Sequence, residues 1–148
     1  MITVELRRIT KENLDEVLSL RVSETQKSFV SSVAESLAEA YVYSETAFPF
    51  AIYADGAAVG FLMMGYYEAR EQYTLWKLLV DQRFQGRGYG REALKQGLLF
   101  LKNTFGAKEI FLGVAQGNEA AKHLYRSLGF AETGRVEDRA EEMKYSCE

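Results

Sequence analysis

A chain of 148 residues with 47% hydrophobic and 26% charged side chains has the composition of an ordinary globular domain, which excludes the disordered and fibrous classes. One cysteine, Cys147, and one histidine, His123, exclude an intrachain disulfide and any cysteine-based or multi-histidine metal site, so no metal is expected. The net charge of −3 argues against nucleic acid and membrane surfaces as partners, yet Gln82 to Lys108 holds six basic residues against one acidic, a local excess that suits either one anionic ligand or a solvated helix face.

Val4, Leu6 and Ile9 suggest an opening strand. Thr10 can cap a helix from Lys11 to about Val22, where Leu14, Val17, Leu18 and Val22 recur at helical spacing. A second helix is predicted from Ser28 to about Tyr43 on Phe29, Val33, Leu37 and Tyr41. Phe50–Ala54 and Ala58–Tyr67 read as strands joined by Asp55-Gly56, a hairpin signal because the turn needs positive φ. Tyr73–Asp81 is nearly all apolar, aromatic or β-branched and reads as a strand buried on both faces. Leu94, Leu98, Leu101 and Phe105 mark a helix face ending near Gly106, and Glu109–Ala115 returns to a strand. Asn118 is an N-cap for a helix that buries Ala121, Leu124, Tyr125 and Leu128 and stops at Gly129-Phe130. Ala131–Gly134 and Glu142–Tyr145 would close the fold as a hairpin. This order predicts one α/β domain over residues 1–148, a mixed sheet covered by helices. Neither a signal-peptide pattern at the N-terminus nor an apolar stretch long enough for a bilayer is visible, and a cytoplasmic protein is expected.

The stretch from Val80 to Gly90 carries the chemistry. Gly86, Gly88 and Gly90 alternate between a strand and an amphipathic helix, so backbone N–H groups can converge without Cβ obstruction next to a helix N-terminus. Such a turn can cradle a phosphate or serve only as a tight turn. A dinucleotide fingerprint would need glycine where Arg91 stands, and the lysine of a P-loop is absent.

About 30 residues later comes Asn118-Glu-Ala-Ala-Lys-His-Leu-Tyr125-Arg-Ser-Leu-Gly129-Phe130. Together the two segments resemble the GNAT superfamily of N-acetyltransferases, whose pattern Gln/Arg-x-x-Gly-x-Gly/Ala is met by Gln85, Gly88 and Gly90. The resemblance covers nearly the full chain. It implies a mostly antiparallel central sheet of about seven strands flanked by about four helices. It also implies acetyl-CoA as cosubstrate, with Leu79, Val80, Gln85, Gly86, Arg87, Gly88, Tyr89, Gly90, Arg91 and Asn118 binding it, the diphosphate on the amides of residues 85–90 and the pantetheine arm beside Val80 and the Glu109–Ala115 strand.

In the implied reaction an amine attacks the thioester carbonyl, a strand N–H near Leu79 or Val80 stabilises the oxyanion, and Tyr125 protonates the departing thiolate. The plain alternative for Tyr125 is a core aromatic. An alkylamine with a pKa of about 10.4 costs about 4.6 kcal/mol to deprotonate at pH 7, so a base or a water chain is needed. Trp76 stands where some polyamine acetyltransferases place a carboxylate, with Lys77 following it, which leaves the base unassigned among Glu24, Glu35, Glu68 and Glu71.

The first third, with Trp76-Lys77, also resembles bacterial diamine and polyamine acetyltransferases of this superfamily. Glu24, Glu35 and Trp76 are the expected acceptor contacts, and Glu39, Tyr41, Tyr43 and Tyr53 can add an acidic, aromatic groove for a polyamine such as spermidine or spermine. Peptide, protein and aminoglycoside amines are the alternative acceptors, and a non-catalytic acyl-CoA sensor is the alternative of another class. His123 and Cys147 carry no expected role. Phe61–Met64 and the closing hairpin are candidate surfaces for a homodimer.

Overall fold

The computed structural model describes residues 2–23 and 31–147. Its elements follow the predicted order: β1 (Glu5–Arg7), α1 (Leu14–Leu18), α2 (Val33–Val42), β2 (Ala47–Ala54), β3 (Ala57–Tyr67), β4 (Gln72–Val80), α3 (Tyr89–Phe105), β5 (Glu109–Ala115), α4 (Glu119–Leu128), β6 (Ala131–Glu137) and β7 (Ala140–Ser146). Among the described residues the seven strands form one mixed, mostly antiparallel sheet in the order β1-β2-β3-β4-β5-β7-β6. Four α-helices among the described residues flank it. One core, under α3 and α4, is built on Leu62, Met64, Leu94, Leu101 and Ile110, and the other, under α1 and α2, on Val17, Val33, Phe61 and Met63.

The turns form where their chemistry predicts. Asp55 and Gly56 both take positive φ, as the two-residue hairpin between β2 and β3 requires. The β6–β7 hairpin turns instead on Asp138 and Arg139 at φ 49° and 65°, without glycine, so both strands run longer than expected.

Both early helices depart from expectation. The first is five residues long, not the span from Lys11 to about Val22, because Arg21 folds back and its Nη1 donates to the carbonyls of Leu18 and Leu20. The second begins at Val33. Ser32 is its N-cap, accepting from the Glu35 N–H at 3.1 Å while the Glu35 carboxylate accepts from the Ser32 N–H, a reciprocal cap that sets the start. Residues 28–30 of that expected helix lie outside the described residues, as does Glu24.

β4 is also not buried on both faces, since only Leu75 and Leu79 are buried. The reason lies in the sheet. β4 and β5 run parallel and pair only at Tyr73–Ile110, Thr74–Phe111 and Leu75–Leu112, so beyond Leu75 the strand loses its neighbour on that side. No helix among the described residues is long and apolar enough to cross a membrane.

Candidate active site

The site is the gap that opens where β4 and β5 part. A register shift starts it: Met63 faces Lys77 while Met64 faces Leu75, leaving Trp76 as the extra residue of a β-bulge. The bulge sends both Trp76 and Lys77 toward the α1 and α2 face. Trp76 packs against the core there and meets Tyr43 edge to face at 6.0 Å. Lys77 reaches Ser31 at 3.2 Å and Glu39 at 3.8 Å.

Past the bulge the backbone alternates. The Asp81 N–H donates to Val59 on β3 at 2.8 Å, so the peptide edge of Val80 faces the gap. By the same alternation Leu78 faces the gap as well, whereas Leu79 is turned to β3 and contributes only its side chain to the cleft. Of the two residues expected near the oxyanion, Val80 turns its N–H to the gap and Leu79 does not, while Leu78, which was not expected, faces it as well. The Val80 carbonyl accepts from the Gln85 side-chain amide at 2.9 Å, a contact that ties the glycine turn back to the strand.

The turn holds Gly86 and Gly88 at φ 79° and 84°, conformations that disfavour any side chain, and Gly88 is the N-cap of α3. No side chain caps that helix, and no acceptor among the described residues claims the N–H groups from Gly86 to Gly90. A Cβ added at Gly86 would meet nothing within 4 Å, whereas one at Gly88 would stand 2.6 Å from Ile2 Cδ1, so the turn is open at Gly86 and packed at Gly88. This arrangement of unclaimed amides at the positive end of a 17-residue helix fits a diphosphate.

The turn opens into a cleft of about 320 Å³ that Val80, Gln85, Gly86, Gly90, Asn118 and Tyr125 all line. Asn118 caps α4, accepting from the Ala121 N–H at 3.3 Å, while lining the cleft. Arg87 lies over the Phe84 ring at 5.7 Å and makes no ion pair among the described residues, which leaves it available to a phosphate. Arg91 leans elsewhere, onto Ser127 at the end of α4. Tyr89 packs into the α3 core.

Tyr125 is half-buried, and burial pushes its hydroxyl up to a pKa of about 12. That hydroxyl has no hydrogen-bond partner among the described residues. Tyr125 lines both the cleft at the glycine turn and the adjoining hollow that Ser31, Trp76, Lys77 and Asn118 line. The helix stripe of Ala121, Leu124, Tyr125 and Leu128 is half-buried because this face overlooks the gap. The buried residue of α4 is Lys122, which pairs with Glu141 on β7 and holds the helix to the sheet.

The acceptor-side residues are less available than their types suggested. Glu35 is engaged in the cap of α2, and the hydrogen bonds from the Ser32 backbone and hydroxyl hold its carboxyl below the usual range. Tyr53 is buried and donates to Glu16 at 3.0 Å, so it does not line a groove. Glu68 and Glu71 sit at the β3–β4 turn, at the opposite end of β4 from the glycine turn. His123 is exposed. Sequence reasoning missed Asp81, whose signal was a lone carboxylate closing an apolar strand, five positions before Gly86.

Comparison with known proteins shows a family and several relatives. The acetyltransferase (GNAT) family model matches residues 14–130. The spermine/spermidine N(1)-acetyltransferase of Bacillus subtilis is 29% identical over 150 residues, covering 95% of this chain and 96% of the relative. The spermidine N(1)-acetyltransferase of Escherichia coli is 22% identical over 90% of this chain and 76% of its own length. Among solved structures, the PaiA N-acetyltransferase of Thermoplasma acidophilum in complex with coenzyme A has a TM-score of 0.75 at 17% identity, covering 99% of this chain and 100% of that one. The spermidine N-acetyltransferase of Vibrio cholerae in complex with CoA and spermine also has a TM-score of 0.75, at 19% identity, covering 97% and 95%. These structural likenesses show the shared fold.

Proposed function

The chain belongs to the acetyltransferase (GNAT) family, and we propose that, as one domain over residues 1–148, it moves an acetyl group from acetyl-CoA to a primary amine of a polyamine such as spermidine or spermine. One observation carries the reading: the glycine turn, whose amides no described residue claims, and Tyr125 line the same cleft, beside a stretch of β4 with no neighbouring strand among the described residues. The amides from Gly86 to Gly90 and the Arg87 side chain hold the diphosphate. The pantetheine arm takes the place of a missing strand between β4 and β5, with Asn118 beside it.

The amine attacks the thioester carbonyl from the α1 and α2 side, forming the C–N bond. Negative charge gathers on the carbonyl oxygen, where the Val80 or Leu78 N–H stabilises it. The C–S bond then breaks, and Tyr125, still protonated because its pKa is about 12, gives its proton to the thiolate. The amine's own proton leaves through water, since the described carboxylates near Lys77 are already paired or engaged in capping. Holding amine and thioester together supplies much of the acceleration. The polyamine assignment rests on the relatives' named substrates and on the aromatic wall of Trp76 and Tyr43.

The test is thiol release from acetyl-CoA with spermine, spermidine, putrescine, a lysine peptide and an aminoglycoside. Preferred turnover of spermidine or spermine supports the proposal. Preference for another amine moves the acceptor class, and CoA binding without release to any amine makes the chain a sensor.

A further inference from the structure

Asp81 is 2% exposed, and its carboxylate is shared between two segments far apart in sequence. Oδ1 accepts from the Arg83 N–H at 2.9 Å and from Arg83 Nε at 2.8 Å, which shapes the first step of the glycine turn. Oδ2 accepts from the Arg21 N–H at 2.9 Å, and Gln82 returns a bond of 2.7 Å to the Arg21 carbonyl. The segment leaving α1 is therefore stitched to the end of β4 through both the N–H and the carbonyl of one residue, Arg21.

Val22, the next residue, lines two hollows. One is the cleft it shares with Gln85, Gly86 and Tyr125; the other, on the acceptor side, it shares with Ser31 and Glu35. The strand end, the turn and the α1 exit thus meet at a single carboxylate, and a shift of one must move the others. Burial alone would raise the pKa of Asp81, but its bonds to the side chain and backbone of Arg83 and the backbone of Arg21 outweigh that and hold it below the ordinary value, so it stays an acceptor on every oxygen it uses.

We infer that Asp81 is a positioning residue that couples the acceptor-side segment at Arg21–Ser23 to the glycine turn, so that filling the turn orders the wall against which the acceptor binds. The inference rests on the acetyl-CoA reading above and adds to it a link between the two halves of the site. Asp81 touches neither substrate.

Hydrogen exchange with and without coenzyme A, with calorimetry on the same samples, tests it. In the wild-type protein coenzyme A should slow exchange at the amides of Arg21–Ser23 at least tenfold. In Asp81→Asn, which keeps one carbonyl oxygen and the same volume, that protection should fall to less than threefold while coenzyme A still binds. Asp81→Glu, which restores the charge, should recover part of it. Equal protection in the wild type and Asp81→Asn, or none in the wild type despite binding, overturns the coupling alone. Failure of the wild type to bind coenzyme A overturns the acetyl-CoA reading and the coupling with it.

Discussion

The indole of Trp76 lies so close over Gly65 that a Cβ built on the glycine would stand 2.3 Å from its Cε2. Gly65 on β3 is thus what lets the β4 bulge seat its extra residue on the α1 and α2 face. Gly65→Ala should drive the ring out of place at about 1–3 kcal/mol, the usual cost of overpacking. Trp76 is the only tryptophan, so its emission reports the shift directly. A lower melting temperature with an altered emission maximum is expected; unchanged emission would mean that the indole does not depend on this contact.

Tyr125→Phe should lower turnover at least tenfold and leave acetyl-CoA affinity within about twofold, because only the proton donor is removed. The pH profile carries a sign as well. A general acid must hold its proton, and burial keeps this hydroxyl protonated until the pH approaches about 12. Activity should therefore climb with pH as the amine, with a pKa of about 10.4, loses its proton. A downturn between pH 8 and 10 would argue that another group is the acid.

Two glycines separate strain from ligand contact. Gly86 and Gly106 both have positive φ, 79° and 70°, and a Cβ at either meets nothing within 4 Å. Alanine at each should cost about 1–2 kcal/mol of stability from the left-handed conformation. Only Gly86→Ala should also weaken coenzyme A binding, by tenfold or more in calorimetry, because Gly86 and not Gly106 lines the cleft. Equal affinity in the two variants would place the diphosphate elsewhere.

Lys77 and Glu39 form a partly exposed pair at 3.8 Å on the side proposed to receive the amine. Such pairs are worth about 0.2–1 kcal/mol, so releasing Glu39 by Lys77→Met should lower the KM for spermidine by about two- to fivefold at low salt. The gain should shrink as ionic strength rises. An unchanged KM would show that Glu39 does not face the bound polyamine.

The elements were legible because each rests on neighbours a few residues away. Asp55-Gly56 sets the hairpin, Asn118 caps α4, and Leu94, Leu98 and Leu101 mark the buried face of α3, as the structure shows. Phe105, on that same predicted face, is 42% exposed, yet stacks on Tyr73 at 5.5 Å. The glycine turn was legible for the same reason, since positive φ and a helix start are local properties.

The early helices were overread because a helical apolar pattern continues past the points where other interactions stop it. The Arg21 side chain closes α1, and the Ser32 cap delays α2. Glu35 and Tyr53 illustrate the limit of reading by type: a carboxylate and an aromatic suit an amine groove, but one is engaged by its own helix and the other by Glu16.

By itself the order of residues determined which segments pair or coil and where amides are left without side chains, because those outcomes depend on short-range sterics and periodicity. Only the folded sheet decided that β4 and β5 part after Leu75, that Val80 rather than Leu79 faces the gap, and that Asp81 joins two segments 60 residues apart. Strand register and the placement of buried partners arise from contacts distant in sequence, and no local pattern encodes them.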